Sequence, residues 1–338
     1  MTPQRLGFFT RLVRTDPAED AGTVYRQALE QIGLAERLGY DTAWVAQHHL
    51  DPAEGGLPSP FVFLAHVAAR FPRIRFGTAI VTLALEDPIR VAEDAAVLDE
   101  LSGGRLELGF GAGGSRHAFE LFESTGMDRQ QVYASKLARV TAALDGTPLV
   151  GDRGLNPPAT GLRSRLWQAT FSAGGAGRAG RAGDGLLLSK AQPRNPAAPD
   201  ATLWEIQQPL VDSYLDALPP GAAPRIGASR GVFVADDHDE AVALAERGAA
   251  RFLDRLGRNG GPEVADSVAE VLRDIYIGTP DEVVARLSED TALRHATDFI
   301  VQAHPVDPGH AATLRSIELI ATKVAPRLGR RLDERTIR

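Results

Sequence analysis

The sequence predicts an α/β chain closed into a single (β/α)8 barrel with loop insertions. Short apolar runs alternate with stretches of helical periodicity along the whole chain. Eight of those runs each precede at least one helical stretch, and several joins carry helix-capping residues. Consecutive βα units build a parallel sheet, and eight is the number of strands that closes it on itself.

In chain order, the first strand is predicted at Arg5–Phe9 and the second at Thr42–Ala46. Between them Val24, Ala28, Ile32, Ala35 and Leu38 recur at helical spacing. Ser59-Pro60 sets an N-cap acceptor before a proline and opens a helix over 60–70. A third strand follows at Ile74–Leu83, and Asp87-Pro88 opens a helix over 88–101. Gly103-Gly104 stops that helix, and Arg105–Phe110 is the fourth strand. Tyr133, Leu137, Val140 and Leu144 mark the next helix, Leu166–Thr170 the fifth strand and 174–182 a short Gly/Ala/Arg-rich helix. Gly185–Ser189 and Arg225–Val234 are strands six and seven, flanking a helix over 203–217. Helices over 238–257, 264–275 and 280–288 come before the eighth strand at Thr297–Ala303. Thr279-Pro280-Asp281-Glu282 gives the third of these a capping box. Asp307-Pro308 is predicted to cap a last helix over 309–325. Residues 146–164 and 190–202 read as Pro/Gly-rich loops, 1–330 as one domain and 331–338 as a tail.

The 338 residues carry a formal net charge of −7 and no long basic run, which argues against nucleic acid as a partner. Zero cysteines exclude disulfides, zinc–thiolate sites, iron–sulfur clusters and a cysteine nucleophile. No apolar run approaches the ~20 residues of a membrane span, and the first residues lack a secretory pattern, so a cytoplasmic protein is expected.

A barrel of this kind carries its active site at the C-terminal ends of its strands. That rule selects Gln47-His48-His49 after strand two, Gly109–Ser115 after strand four, Ser172–Gly175 after strand five and His304 after strand eight. Adjacent residues on an extended segment point to opposite sides, so one histidine of the pair is expected to face the site. Two adjacent histidines make a poor metal clamp, and no metal site is expected. The glycines after strand four match a dinucleotide fingerprint only weakly. No helix is expected to start immediately after them, and close approach of a ligand ring or a neighbouring backbone explains them better. Ser172 and the small residues after it suit an anion cradle at a helix start, with a plain capping serine as the alternative.

Taken in order, these stretches resemble the luciferase-like flavin monooxygenase family, the relatives of the bacterial luciferase subunits. The resemblance runs from Arg5 to about Arg327. It rests on Gly39–His49, Arg75–Val81, Asp87–Asp94, Leu101–Arg105 and Gly278–Val283. It implies a TIM barrel that binds reduced FMN delivered by a separate flavin reductase, takes O2, oxidises a small-molecule substrate and assembles as a homodimer. Alanines of the helix over 88–101 are expected to allow close helix–helix approach in that dimer. The resemblance gives the proton-handling role to His48 and a non-proline cis peptide to Ala79–Ile80. It places Phe8, Thr78, Ala79, Ile80 and Gly111 against the cofactor, and Ser172, Ala173, Gly174 and Gly175 on its phosphate. Four positions depart from the family pattern: Gln47 replaces a glutamate, Ala112 and Gln131 replace phosphate-contacting arginines, and Gly111 replaces a cysteine. Arg116 and Arg129 are candidate substitutes for the arginines. Two other readings accompany this one: an F420-dependent oxidoreductase on the same barrel, and a non-catalytic flavin-binding protein.

Overall fold

The computed structural model describes residues 5–159, 161–259 and 267–329. Its strands are β1 (Arg5–Thr10), β2 (Thr42–Val45), β3 (Arg75–Thr78), β4 (Val81–Thr82), β5 (Leu106–Gly111), β6 (Leu166–Ala169), β7 (Gly185–Leu188), β8 (Ile226–Val234), β9 (Ile275–Gly278) and β10 (Asp298–Gln302). All their pairings are parallel. The order β1-β2-β3-β5-β6-β7-β8-β10 returns to β1 and closes an eight-stranded barrel. Each of the eight expected runs supplies one barrel strand. The third run is interrupted at the cis Ala79–Ile80 bond, so that β4 continues beyond β3 and pairs with β5.

The surrounding helices are α1 (Ala21–Arg37), α2 (Pro60–Arg70), α3 (Pro88–Ser102), α4 (Arg116–Leu121), α5 (Arg129–Leu144), α6 (Ala173–Arg181), α7 (Leu203–Ala217), α8 (His238–Asn259), α9 (Val268–Leu272), α10 (Pro280–Leu287) and α11 (His310–Leu319). None among the described residues is long and apolar enough to cross a membrane. Asp87 caps α3 by accepting from the N–H groups of Ile89 and Arg90, and Gly103 ends it in a left-handed conformation at φ 67°. Glu282 accepts from both the N–H and the hydroxyl of Thr279 at the start of α10.

Five expectations are corrected. The stretch 264–275 is no continuous helix: within the described residues α9 spans five residues and β9 begins at Ile275. α4 does start directly behind the Gly109–Gly114 run, with the Ser115 hydroxyl accepting from the Ala118 N–H. Asp307 does not cap α11; Gly309 holds that position, and Asp307 turns away at φ 41°. The last helix also ends at Leu319, followed by a wider turn over 320–324 and a tighter one over 325–328. The α3 residues Ala92, Ala95 and Ala96 are buried within the chain's own core, so they offer no surface to a partner. The expected tail at 331–338 lies outside the described residues.

Strand alternation divides the core in two. Leu6 and Phe8 face outward into the layer between barrel and helices, where the Phe8 ring meets Tyr40 edge-on at 6.4 Å. Phe9 faces inward with Trp44, Ala46, Trp167, Leu187 and Ile300. At the N-terminal end the interior is plugged by ions: Glu107 pairs with Arg75 at 2.8 Å and Arg5 at 3.2 Å, and accepts from Trp167 Nε1 at 2.7 Å. Above this plug the two indoles meet edge-on at 5.8 Å. Glycine is required beside them: a Cβ at Gly77 would lie 2.6 Å from the Trp44 ring, and one at Gly185 2.2 Å from Trp167. On the outer side of β8, Arg230 forms a fully buried, two-pronged pair with Asp290, at 2.6 and 3.2 Å. The Tyr276 hydroxyl also donates to that carboxylate, at 2.9 Å.

Candidate active site

The C-terminal rim gathers the loops after β1, β2, β3, β5, β6, β7 and β10. Directly above the paired indoles, Phe9, Ala46, Ala79, Ile80 and Ala169 form the last inward layer, and the Ala79–Ile80 peptide is cis. Gly111 belongs to the same layer, since a Cβ there would meet the Ile80 side chain at 3.1 Å and Ala169 at 3.7 Å. Alanines and a glycine put little side-chain bulk over this apolar floor. Thr78 contributes differently from expectation. Its hydroxyl donates to the Gly109 carbonyl and accepts from the Gly109 N–H, both at 2.9 Å, so it pins β3 to β5 and its one donor is spent. Phe8 faces the outer core, and the inward position belongs to Phe9.

His48 and His49 diverge as the extended segment requires. His49 turns to the Phe122 ring, edge-on at 4.9 Å. His48 turns to the β1 loop, where Arg11 Nη2 lies 2.7 Å from its Nε2. A guanidinium can only donate, so Nε2 accepts and the neutral ring carries its proton on Nδ1. That nitrogen is buried without a partner against Gly55, where a Cβ would stand 2.6 Å from it. Burial, then the Arg11 charge, then His304 hold the His48 pKa well below the usual imidazole value. The ring is neutral at pH 7.

His304, at the end of β10, donates from Nδ1 to Asp307 at 2.7 Å. Burial pushes its pKa down to about 4, against the pull of that carboxylate. Burial opposes the charge on Asp307, but His304, Arg11 and Lys190 outweigh it and hold the carboxylate below its ordinary value. Three non-glycine residues next to or within this cluster adopt left-handed backbone: Leu12 at φ 54°, Leu50 at φ 72° and Asp307 at φ 41°. Such positions cost roughly 1–3 kcal/mol each and concentrate where a site over-determines its geometry.

Gln47 is a structural tie. Its amide nitrogen donates to Glu86 at 2.6 Å and to the Pro58 carbonyl at 3.2 Å, and its oxygen accepts from the Thr82 N–H at 2.8 Å. A glutamate here would face the Glu86 carboxylate, so the replacement suits its neighbour.

After β6, Ser172 caps α6 by accepting from the Gly175 N–H at 3.2 Å. This uses the Gly175 donor and leaves the Ala173 and Gly174 N–H groups at the helix start. A side chain at Gly174 would meet nothing within 4 Å. The candidate replacement arginines are engaged elsewhere: Arg116 pairs with Glu120 at 2.8 Å, and Arg129 donates to the Gly113 carbonyl at 3.1 Å beside the Phe119 ring. Ala112 is partly buried against the outer core and Gln131 is exposed. Sequence reasoning missed Arg11, Lys190 and Asp307 as site residues. Their position just past β1, β7 and β10 was the available signal. Among the described residues, no group of three or more His, Asp or Glu side chains is placed to hold a metal ion.

The family described as luciferase-like monooxygenase matches residues 5–295. Limonene 1,2-monooxygenase of Rhodococcus erythropolis is 26% identical over 91% of this chain and 82% of its own. Among solved structures, monooxygenase RslO1 from Streptomyces bottropensis superposes with a TM-score of 0.79 at 24% identity, covering 96% of this chain and 100% of that one. The oxygenating constituent of 3,6-diketocamphane monooxygenase from Pseudomonas putida, in complex with FMN, gives 0.75 at 18% identity over 96% and 98%. An F420-dependent secondary alcohol dehydrogenase shares the fold at 0.67 and 16% identity over 97% and 99%.

Proposed function

Since the chain belongs to the luciferase-like monooxygenase family, we propose that it is the oxygenase component of a two-component enzyme that uses reduced FMN and O2 to oxidise a small organic substrate. The observation that carries this reading is the inward layer at the rim. There, the small side chains of Ala46, Ala79 and Ala169 and the bare Gly111 lie over two indoles, with the buried His48 on the next loop. FMN, when bound, supplies the electrons and the site at which oxygen is activated. Phe9, Ala46, Ala79, Ile80, Gly111 and Ala169 would hold its ring and exclude water. The Ala173 and Gly174 N–H groups, with the Ser172 hydroxyl, would hold its phosphate, helped by the positive end of α6.

His48 keeps one proton on Nδ1 and offers Nε2 as its basic atom once the Arg11 guanidinium turns aside. In this reading Arg11 regulates when that nitrogen is available. The enzyme works in the cytoplasm, where a flavin reductase delivers the reduced cofactor. It assembles as a homodimer through the exposed Val62 on α2 and Val97 and Leu101 on α3.

The F420 reading draws its support from the shared fold of the F420-dependent dehydrogenase. Titration of the apoprotein with oxidised FMN, reduced FMN and F420, followed by oxygen uptake with a flavin reductase, decides between them. Preferential binding of reduced FMN with oxygen uptake supports the oxygenase. F420 binding with hydride transfer and no oxygen uptake replaces it, and flavin binding without turnover of any kind leaves a carrier protein. His48→Ala should lower turnover ~10²–10⁴-fold with little change in flavin affinity, while His49→Ala acts mainly on packing.

A further inference from the structure

His304 keeps a basic nitrogen to which no role has been given. Its Nδ1 donates to Asp307 at 2.7 Å, so the neutral ring carries its lone pair on Nε2. Among the described residues no donor meets that nitrogen, and it is not sealed from water-sized space. Both nitrogens of His48, by contrast, are closed off: Arg11 covers Nε2 at 2.7 Å, and Nδ1 is buried. Although only 4% exposed, His304 lines a cleft of about 70 Å³ that opens between α1 and α11. Gln31 and Thr313 line it from the two helices, Arg11 and Asp307 from the rim loops. Phe9, which also lines it, belongs to the inward layer. Water occupies ~30 Å³ per molecule in the liquid, so the cleft has room for about two, among polar groups that can hold them. Two of the left-handed residues described above, Leu12 and Asp307, line the same cleft.

We propose that this cleft is the path by which protons reach His48 from solvent, with His304, oriented by Asp307, as its relay. This rests on the oxygenase reading above. In that reaction O2, one proton and the reduced flavin anion give oxidised flavin, one water and one oxygen atom inserted into the substrate. A site that excludes water from the cofactor ring must admit that proton from the side. His304 Nε2 takes it from one cleft water and returns it to the next, while the Asp307 carboxylate steadies the cation in between. Burial, Arg11 and Lys190 disfavour that cation, so the ring reverts to neutral and the proton moves on. Arg11 lines the cleft as well as covering His48 Nε2, so the turn that frees this nitrogen brings it to the same water.

The test uses the full chain and two variants. In the apoprotein, NMR of selectively labelled histidine should show cross-peaks between water and the His304 ring protons. Thr313→Leu, which narrows the cleft, should weaken them at least threefold. Oxygen uptake by protein-bound reduced FMN is then followed by stopped flow in H2O and D2O. His304→Ala should slow it tenfold or more with FMN affinity within threefold, and added imidazole should restore at least a third of the rate. Thr313→Leu should also slow uptake and at least double its solvent isotope effect. Uptake within threefold of the parent in a folded His304→Ala protein overturns the proposal, as does a loss that imidazole does not restore. A His304 ring without water cross-peaks in the parent, or unchanged uptake in a Thr313→Leu protein that has lost them, overturns it equally. Absence of oxygen uptake in the parent protein fails the oxygenase reading instead, whereas the cross-peaks judge the cleft without any cofactor, so either can fail alone.

Discussion

Gly55→Ala tests whether His48 is held in a single productive pose. The added Cβ would stand 2.6 Å from His48 Nδ1, 2.7 Å from Cγ and 3.0 Å from its Cβ. Ordinary contact needs roughly 3.5 Å, so the ring must retreat by about 0.9 Å. It is pinned on its far side by the 2.7 Å bond from Arg11, which such a shift disrupts. Overpacking of this kind costs ~1–3 kcal/mol, and a lost bond to a charged donor another ~1.5–3 kcal/mol. At roughly 2–4 °C per kcal/mol for a chain of this size class, the melting temperature should fall by about 5–20 °C. A displacement near 1 Å at a reacting group costs about 10²-fold in rate. We therefore expect oxygen uptake with reduced FMN to drop about a hundredfold while flavin affinity changes less than threefold. Nitrogen-resolved NMR of the His48 ring should show its proton leaving Nδ1 or exchanging between the two nitrogens. An unchanged tautomer together with unchanged oxygen uptake would refute both the pose and the role assigned to His48.

Three further outcomes are expected. Asp290→Asn should cost about 3–5 kcal/mol in denaturant unfolding, because it strands the fully buried Arg230 guanidinium. His304, held near pKa 4 in the fold and near ~6.5 when unfolded, binds its proton only in the unfolded chain between those values. Stability should therefore fall by about 3 kcal/mol as the pH drops from 6.5 to 4, and His304→Asn should flatten that limb of a pH-resolved unfolding series. Ala112→Arg should tighten FMN roughly tenfold or more, from one added charge-assisted bond, and leave riboflavin nearly unchanged; equal effects on both would place the phosphate elsewhere.

The barrel was legible because each of its strands leaves an apolar run and most of the helices carry a cap or a period. Asp87 and Gly103 fix their helix ends through local chemistry, and local chemistry is what a sequence displays. The failures have physical causes of the opposite kind. β9 is four residues long and sits outside the barrel, so its apolar pattern is too short to separate from the helix before it. Phe8 and Phe9 differ by one step of strand parity, and both are apolar, so only the closed barrel shows which one faces in. Asp307 precedes a proline like a cap, yet its carboxylate is taken by His304, a partner set by the tertiary fold. Arg11 was invisible for a similar reason: it meets His48 across two rim loops, a contact set only by the closed barrel.

The two partners of β8 divide the chain into a ring and an excursion. Residues 227–231 pair with β10 and close the barrel, while 231–234 carry β9 beyond it, with Gly231 paired to both Ile275 and Gln302. The ring is therefore complete without β9, although some sixty residues of chain separate its two joined edges. Local opening of the excursion leaves every hydrogen bond of the closed ring in place, so β9 and α10 can exchange their amide hydrogens with solvent at lower free energy than the core of β8. The excursion is nonetheless tied to the ring, since its Asp290 and Tyr276 hold the buried side chain of Arg230 on β8, so a rim reshaped by changing it must keep that ion pair.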